Sequence, residues 1–401
     1  MTNRPDALVI GAGPAGLMAA EMLAGAGRQV IIADAMPTPA RKFLMAGKSG
    51  LNLTKNEPED AFATHFSGSA VSALGYGQPD AFGPQEAMDW ASGLGAELFT
   101  GSTRRVFPVG MKASPLLRNW LARLRDAGVE LRTRWSWTGL QDGFRFSTPM
   151  GEQVLRPAVT VLALGGASWP RLGSDGAWMS ILHGAGVDIT PFRPANMGLR
   201  VSWSPEMTRF FGSAVKGVAL HAEGQVSRGE WVITRDGIEG GGIYEIAARL
   251  RDGQVAHVDL TPDLDHQALG ARFGKPRRKL SVGNWLRRVL GDPVKTALLL
   301  EWGYPRPVSP NDWAMMARNL PLRHDGPMGL ERAISTAGGV AGTAITPDLE
   351  LKALPGVFVA GEMLDWEAPT GGYLITGCLA SGRRAGLAAS AFPDARQNRA
   401  H

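Results

Sequence analysis

A glycine-rich turn near the amino terminus is the part of the sequence best suited to chemistry. Residues 7–34 read ALVIGAGPAGLMAAEMLAGAGRQVIIAD, in which an apolar run enters the glycine turn, a helical pattern follows, and a second apolar run ends at Asp34. This order of strand, turn, helix, strand and acid is the fingerprint of dinucleotide-binding proteins. The turn and the helix amino terminus would hold a pyrophosphate, and Asp34 would accept hydrogen bonds from ribose hydroxyls. The pyrophosphate-binding residues predicted here are Gly11, Gly13, Pro14, Ala15 and Gly16.

Three later segments indicate which dinucleotide is bound. An apolar run over 157–164 ends in two glycines, which leaves room for a cofactor at the sheet edge. A second run, over 354–360, is followed by acids that can bind the ribityl hydroxyls of a flavin. A glycine turn at 371–375 then opens a helix, whose amino terminus would stabilise the negative charge near N1 and O2 of reduced flavin. FAD is therefore the predicted cofactor. The residues predicted to bind it from these segments are Ala163, Gly165, Gly361, Glu362, Asp365, Gly371, Gly372, Tyr373, Leu374 and Ile375.

The composition narrows the class of protein. The chain has 401 residues and a single cysteine, Cys378, which excludes an internal disulfide and argues against a cysteine-based metal site. The seven histidines show no ligand spacing, so we predict no metal. No signal-peptide or membrane-span pattern is present, so we expect a cytoplasmic enzyme without a membrane partner. The net charge of +5 suggests anionic ligands without indicating nucleic acid.

The order of patterns along the chain predicts an α/β fold with two insertions. Alternating strand and helix signals at the amino terminus are typical of a parallel sheet, and strand character returns near 356–362. Between them, 114–127 is predicted as a helix and 129–137 as a single strand. Short alternating runs such as 219–222 and 231–233 indicate antiparallel strands, and 281–290 and 312–319 look helical. We therefore predict a Rossmann-type FAD-binding domain interrupted by a β-barrel-like domain and a small helical domain. The predicted ranges are 1–194 with 336–401, 195–260 and 261–335, respectively.

At the level of whole motifs the chain resembles the HI0933-like (BaiN-type) flavoprotein family. The resemblance is carried by GAGPAGLMAA at 11–20, ARKFLMAGKSGLNLT at 40–54, RVFPVGMKAS at 105–114, LALGGASWPRLGSDG at 162–176 and the carboxyl-terminal ISTAGGV, VFVAGEMLD and TGGYLITGCLASG. It implies an FAD domain interrupted by a β-barrel and a helical region. It also implies that the 40–54 segment lies beside the flavin. The residues that this segment adds to the predicted cofactor site are Arg41, Lys42, Ser49 and Asn52.

The sequence departs from the family pattern at two places. Gly50 and Leu51 stand where the family has arginine and cysteine before Asn52. Leu374 and Ile375 follow Gly372-Tyr373 where relatives carry Gly-Gly-Tyr-Asn. These changes replace polar groups near the predicted flavin by apolar ones. They indicate a divergent subgroup whose substrate is apolar or weakly polar.

Three residues are candidates for the catalytic site, and two of them have a simpler alternative. Lys48 would lie near flavin N1 and O2 or the substrate, or it is a solvated loop lysine. Trp366 adjoins Asp365 and would wall the substrate pocket, although twelve tryptophans make ordinary packing the general expectation. Tyr373 lies in the glycine turn described above. A P-loop over Gly47–Ser49 is rejected, because the motif requires glycine at the position of Lys42.

The predicted function is that of an FAD-dependent oxidoreductase acting on a small or medium organic molecule by hydride transfer at flavin N5. An NAD(P)H-linked reductase is the first expectation, with NAD(P)H bound transiently because a second GxGxxG motif is absent. An oxidase acting on an amine-type substrate with oxygen as acceptor is an alternative. An RNA-acting flavoprotein is another, but the basic run over 272–279 lacks interleaved aromatics and is better explained as a solvated face. A non-catalytic flavin-bound protein is a third. The substrate and the oligomeric state are left open.

Overall fold

The computed structural model describes residues 5–48 and 50–393, and these form two units by contact. One unit runs up to Arg193 and resumes at Ser335, and the other spans Pro194–Ile334. The elements up to the first boundary are β1 Ala7–Ile10, α1 Pro14–Gly25, β2 Val30–Asp34, α2 Arg41–Ala46, β3 Thr54–Lys55, α3 Glu59–Ala63, α4 Pro84–Gly93, β4 Leu98–Thr100, β5 Arg105–Pro108, α5 Ala113–Asp126, β6 Glu130–Thr133, β7 Ser136–Gly139, β8 Phe144–Thr148, β9 Gly151–Leu155, β10 Val159–Leu162, α6 Trp178–Gly184 and β11 Ile189–Ala195.

The inserted unit contains both strands and helices, and the chain then returns to the first unit. The inserted elements are β12 Leu199–Arg200, β13 Ala214–Val215, β14 Ala219–Ala222, β15 Gln225–Ser227, β16 Trp231–Thr234, β17 Gly237–Glu239, α7 Gly241–Arg251, β18 Ala256–Asp259, α8 His266–Phe273, α9 Val282–Leu290, α10 Pro293–Trp302, α11 Pro310–Arg318 and β19 Leu320–Pro321. The elements after the return are β20 Ser335–Val340, β21 Val357–Val359 and α12 Tyr373–Ala391.

A parallel sheet organises the first unit. Its strand order is β21-β10-β1-β2-β6, and every adjacent pair is parallel. The four residues of β1 are almost completely buried, which is why the strand is a continuous apolar run and does not alternate. The chain therefore has the predicted α/β architecture with a Rossmann-type sheet.

Helices α1 and α12 pack closely because small residues lie at their contact. A Cβ added to Gly382 would lie 2.3 Å from the backbone oxygen of Ala15, and one added to Gly386 would lie 2.7 Å from that of Ala19. The segment after the insertion therefore supplies both an edge strand, β21, and a helix packed against the glycine-turn helix. This contact fixes which face of α12 points toward the carboxyl ends of the strands.

The inserted unit has a single hydrophobic core. Two four-stranded sheets, β12-β17-β16-β13 and β15-β14-β18-β19, supply residues such as Trp231 and Val258. Helical residues such as Phe273 and Trp285 belong to the same core. The predicted boundary at 260/261 therefore does not separate two cores. A helix, α7, also lies within the segment predicted as β-rich, because Gly240–Gly242 opens a helix and not another turn.

Candidate functional site

The glycine turn after β1 has the backbone geometry that a bound pyrophosphate requires. Gly11 has a φ of +104°, and an added Cβ would lie 2.3 Å from the backbone oxygen of Ala163. A Cβ at Gly16 would lie 1.9 Å from the oxygen of Gly11, whereas a Cβ at Gly13 would meet nothing within 4 Å. The turn is thus closed on its strand side and open at Gly13. No side chain caps the amino terminus of α1, so its first free amides can donate hydrogen bonds to an anionic ligand.

Asp34 lies at the end of β2 and holds the turn in place. Its Oδ2 accepts a hydrogen bond from the Ala12 amide at 2.7 Å, and its Oδ1 accepts one from the Met36 amide at 2.8 Å. Burial raises the pKa of the Asp34 carboxyl, against the opposing effect of these amides and of nearby Arg41. Each carboxylate oxygen keeps further acceptor capacity, which suits it to ribose hydroxyls.

The nucleotide cleft is the groove that these groups share with the ends of β10 and β21. The predicted cofactor-binding residues that line it are Gly11, Gly13, Pro14, Ala15, Asp34, Arg41, Lys42, Ala163, Gly165, Gly361 and Glu362. Lys42 ties three of its loops together, because its Nζ lies 2.7 Å from both Glu362 Oε2 and Ser168 Oγ. Residues from the ends of four strands, β1, β2, β10 and β21, therefore converge at one sheet edge, where open α/β sheets bind their ligands.

Helix α12 presents one partly accessible stripe in its first turns. Gly371, Leu374, Ile375 and Cys378 are half-buried, whereas their neighbours at 372–373, 376–377 and 379–380 are buried. Cys378 lines the nucleotide cleft. Because residues three and four apart share a helix face, the stripe extends from the cleft toward the amino terminus of α12. Its side chains there are apolar, and burial raises the pKa of the Cys378 thiol.

Several predicted residues lie outside the nucleotide cleft. Asp365 accepts hydrogen bonds from the hydroxyls of Ser69 at 2.7 Å and Thr190 at 3.0 Å. Trp366 is 1% exposed, and its indole donates to the Gly361 oxygen at 3.0 Å, so the structure places it in the core and not on a pocket wall. Lys48 is exposed in the turn after α2. The other predicted residues that do not line this cleft are Gly16, Asn52, Gly371, Gly372, Tyr373, Leu374 and Ile375, and Ser49 lies outside the described residues.

The side-chain oxygen of Asn52 lacks a hydrogen-bond donor in the described part of the chain. Its Oδ1 is buried and has no hydrogen-bond partner among the described residues. An unmet buried acceptor costs about 1–3 kcal/mol, so a ligand donor such as a flavin ring N–H or a ribityl hydroxyl would relieve it. Together with the open position at Gly13 and the uncapped α1 terminus, this residue fits FAD. Binding by the individual residues stays a prediction.

Sequence reasoning missed some of the cleft residues. Met36, Gly173, Ser174 and Cys378 also line it. Met36 lies two residues after Asp34, and Gly173-Ser174 belongs to the quoted LGSDG stretch, so both had a local signal. The position of Cys378 had none, because it depends on how α12 is turned against α1.

Two further findings concern metals and membranes. Within residues 5–48 and 50–393, no group of histidine, cysteine, aspartate and glutamate side chains is arranged to hold a metal ion. No helix in the same part of the chain is both long and apolar enough to span a bilayer.

Comparison with known proteins gives the family. The model of the HI0933-like protein Rossmann domain matches residues 5–388. The chain belongs to this family. One HI0933-like relative, the 3-dehydro-bile acid delta(4,6)-reductase of Clostridium scindens, is 28% identical over 96% of this chain and 99% of its own length. Another, the ribosomal RNA dihydrouridine synthase of Escherichia coli, is 24% identical over 92% of this chain and 94% of its own.

A solved structure shares the fold of this HI0933-like chain. The open conformation of a flavocytochrome c3 fumarate reductase superposes with a TM-score of 0.50 at 17% identity, covering 96% of this chain and 78% of that one. Family membership and the geometry of the nucleotide cleft identify the protein as an FAD-dependent oxidoreductase.

Proposed function

We propose that the protein is an NAD(P)H-linked reductase that hydrogenates a carbon–carbon double bond in an apolar organic substrate. The observation that carries the proposal is the half-buried apolar stripe of α12, in which Leu374 and Ile375 lie one turn before Cys378, a residue that lines the nucleotide cleft. A polar substrate would leave its hydrogen-bonding groups unpaired against these side chains. The two relatives support the reaction class, because both of their names describe the addition of hydrogen to an unsaturated ring.

The residues of the cleft, and Asn52 outside its lining, have distinct roles in this proposal. The turn at Gly13 and the α1 amino terminus bind the pyrophosphate, Asp34 binds the ribose, and Asn52 accepts a hydrogen bond from the flavin or its ribityl chain. Bound FAD would supply hydride transfer at N5 between the nicotinamide and the substrate. The Lys42–Glu362 pair joins the loops after β2 and β21, which holds the two sides of the cleft at a fixed separation. The apolar stripe excludes water from the substrate side.

Anaerobic reduction of the FAD-loaded protein tests this function. NADH or NADPH should bleach the flavin, and a 3-dehydro bile acid with conjugated double bonds at positions 4 and 6 should restore its colour with one double bond reduced per NAD(P)H consumed. Rapid reoxidation by oxygen alone, after reduction by an amine and not by NAD(P)H, would instead establish the oxidase. Failure of both nicotinamides to reduce the flavin would reject the proposal.

RNA is a second candidate substrate, favoured by a basic segment of the inserted unit. All cations of this segment are exposed, and they are Arg272, Lys275, Arg277, Arg278, Lys279, Arg287 and Arg288. No acidic residue lies between Asp265 and Asp292 in the sequence. No ion pair to the seven side chains occurs among the described residues, whereas Lys216 pairs with Glu230 at 3.1 Å on the same unit. Unpaired cations at this density suit a phosphate backbone, and the E. coli relative acts on ribosomal RNA.

The RNA candidate is tested by binding and not by turnover. Labelled ribosomal RNA fragments should bind with an affinity that falls steeply with salt, and a triple alanine variant at 277–279 should reduce that salt dependence. The matched control is Lys216→Ala, which removes an exposed lysine that is already paired. Equal RNA affinity in the triple variant and the control would reject this candidate without affecting the reductase proposal.

A further inference from the structure

The first turn of α12 is held by a polar cluster on the side opposite the nucleotide cleft. Tyr373 is 2% exposed, and its hydroxyl donates to Glu57 Oε1 at 2.7 Å. The same hydroxyl accepts a hydrogen bond from Lys55 Nζ at 2.8 Å, and Lys55 pairs with Glu57 at 3.1 Å. The tyrosine oxygen therefore both donates and accepts within the protein, in a closed triangle of three side chains.

The ring of Tyr373 is as firmly held as its hydroxyl. Its centroid lies 4.6 Å from that of Phe62 and 4.5 Å from that of His65. Along the helix, Tyr373 shares the buried face with residues 376, 377 and 380, whereas Leu374 and Cys378 lie on the accessible stripe. A substrate in the nucleotide cleft would therefore not reach the Tyr373 hydroxyl, which argues against a direct part for this candidate catalytic residue in the reaction.

Backbone contacts next to Tyr373 join the same turn to β3. Gly372 has a φ of +101°, and a Cβ added there would lie 2.4 Å from the Thr54 Cα. One turn along, Thr376 Oγ1 lies 2.9 Å from Thr54 Oγ1, and both side chains are fully buried. Thr54 and Lys55, the two residues of β3, thus contact the helix terminus from one side, with Asn52 just before them in the chain.

We propose that Tyr373 is a positioning residue, which through Glu57 and Lys55 fixes where the amino-terminal amides of α12 meet the pyrimidine edge of FAD. This inference rests on the proposed flavin chemistry. Leu374 and Ile375 bring no polar side chain to that edge, so the helix terminus is the group available there to stabilise negative charge at N1 and O2. Loosening the terminus should therefore lower the affinity of the oxidised flavin for electrons and for nucleophiles that add at N5.

The test is a titration of the FAD-loaded, full-length protein with sulfite. Loss of the visible flavin absorption measures how much sulfite has added to the flavin. Tyr373→Phe keeps the ring and removes both hydroxyl hydrogen bonds. The sulfite dissociation constant should rise by about three- to thirty-fold, the range that corresponds to a helix-terminus interaction. The flavin reduction potential should become more negative.

The matched control is Tyr76→Phe. The Tyr76 ring centroid lies 5.8 Å from that of Phe62 in the same aromatic cluster, and its buried hydroxyl has no hydrogen-bond partner among the described residues. The control should stay within about twofold of wild type.

Two other substitutions keep the proposal testable if the Tyr373 variant does not fold. Glu57→Gln retains an acceptor for the tyrosine hydroxyl and should preserve sulfite affinity, whereas Lys55→Met removes one of its two hydrogen bonds and should weaken that affinity. The proposal is overturned if Tyr373→Phe loses turnover while its sulfite affinity and potential stay at wild-type values, since that result assigns a catalytic role. It is also overturned if Tyr76→Phe shifts sulfite affinity equally. A wild-type protein that takes up no flavin would refute the proposed function itself.

Discussion

Substituting alanine at two glycines of the same motif should affect different properties, FAD affinity at Gly13 and stability at Gly16. At Gly13 the added methyl group meets nothing within 4 Å, and the backbone angles of −81° and 179° are open to any residue. At Gly16 it would lie 1.9 Å from the Gly11 oxygen and 3.2 Å from the Ala163 Cβ. Gly13→Ala should therefore leave the apoprotein intact and obstruct the pyrophosphate, whereas Gly16→Ala should destabilise the fold itself.

The magnitudes follow from the competing effects at each position. At Gly13, alanine is a poorer helix cap than glycine by about 0.5–1 kcal/mol, but it lowers the entropy of the unfolded chain by a similar amount. The free energy of unfolding should therefore change by less than about 0.5 kcal/mol. At Gly16, alanine gains up to about 1 kcal/mol of helix propensity and loses about 1–3 kcal/mol or more through overpacking. Because a 1.9 Å approach to a backbone oxygen requires backbone movement, overpacking dominates, and we expect a net loss of about 2 kcal/mol.

Urea unfolding of the deflavinated proteins and FAD titration by fluorescence quenching measure the two effects separately. Gly13→Ala should raise the FAD dissociation constant at least tenfold, or by about 1.4 kcal/mol, at unchanged stability. If Gly13→Ala bound FAD as tightly as wild type, the phosphates would not approach this turn and the assignment of the nucleotide cleft would be wrong. A Gly16→Ala apoprotein as stable as wild type would show that the helix can move away from β1 without cost.

Three further predictions concern titratable side chains. Asp34→Ala should weaken FAD binding by about 1–3 kcal/mol and lower the stability of the apoprotein, because the buried Ala12 amide loses its acceptor; isothermal titration and urea unfolding would check both, and an unchanged FAD affinity would contradict the ribose role. Burial lowers the pKa of His65 and of His324, so the unfolded chain takes up more protons below pH 6.5 and the free energy of unfolding should fall as the pH drops through that region. A double His→Gln variant should lose part of this pH dependence in thermal melts, and an identical profile would show that other groups cause it. Glu21→Gln should cost about 1–3 kcal/mol, because the Glu21 carboxylate accepts from Trp120 at 2.6 Å and Arg123 at 2.9 Å, and a stability unchanged from wild type in urea would mean that water replaces these contacts.

The parts of the fold that were predicted correctly from sequence are those with strong local patterns. The β1–α1–β2 unit, β14 at Ala219–Ala222 and helices α5 and α9 lie at or within two residues of their predicted bounds. The single strand predicted over 129–137 was wrong. It divides into β6 and β7 at Arg134, whose φ of +60° breaks the extended chain. That conformation depends on a tertiary contact, since the next residue, Trp135, donates its amide to the Asp34 oxygen at 2.9 Å.

In the candidate site, too, some residues could be placed from local sequence, whereas the position of others depends on tertiary contacts. The glycines of the fingerprint and Asp34 lie where the strand–turn–helix pattern predicts, so the sequence alone was enough to place them. Tyr373 and Trp366 are close in sequence to residues predicted to bind the flavin, yet both side chains are buried in the core. The packing of Gly382 and Gly386 against α1 fixes how α12 is rotated and hence where Tyr373 points, whereas the Trp366 indole is held by the Gly361 oxygen. No local pattern around residue 370 contains either contact.

The connection between the two units bears on the order in which the protein can form during synthesis. The inserted unit is one continuous stretch with its own core, and its ends meet where the Ile334 amide donates to the Asn196 oxygen at 3.2 Å. The first unit is discontinuous, because β21 and α12 come from the far side of the insertion. On the ribosome, the inserted unit can therefore complete its core while the parallel sheet still lacks an edge strand and the helix that covers α1. A chain truncated before residue 357 and released from the ribosome should already protect the inserted unit from protease, while the nucleotide cleft is still incomplete.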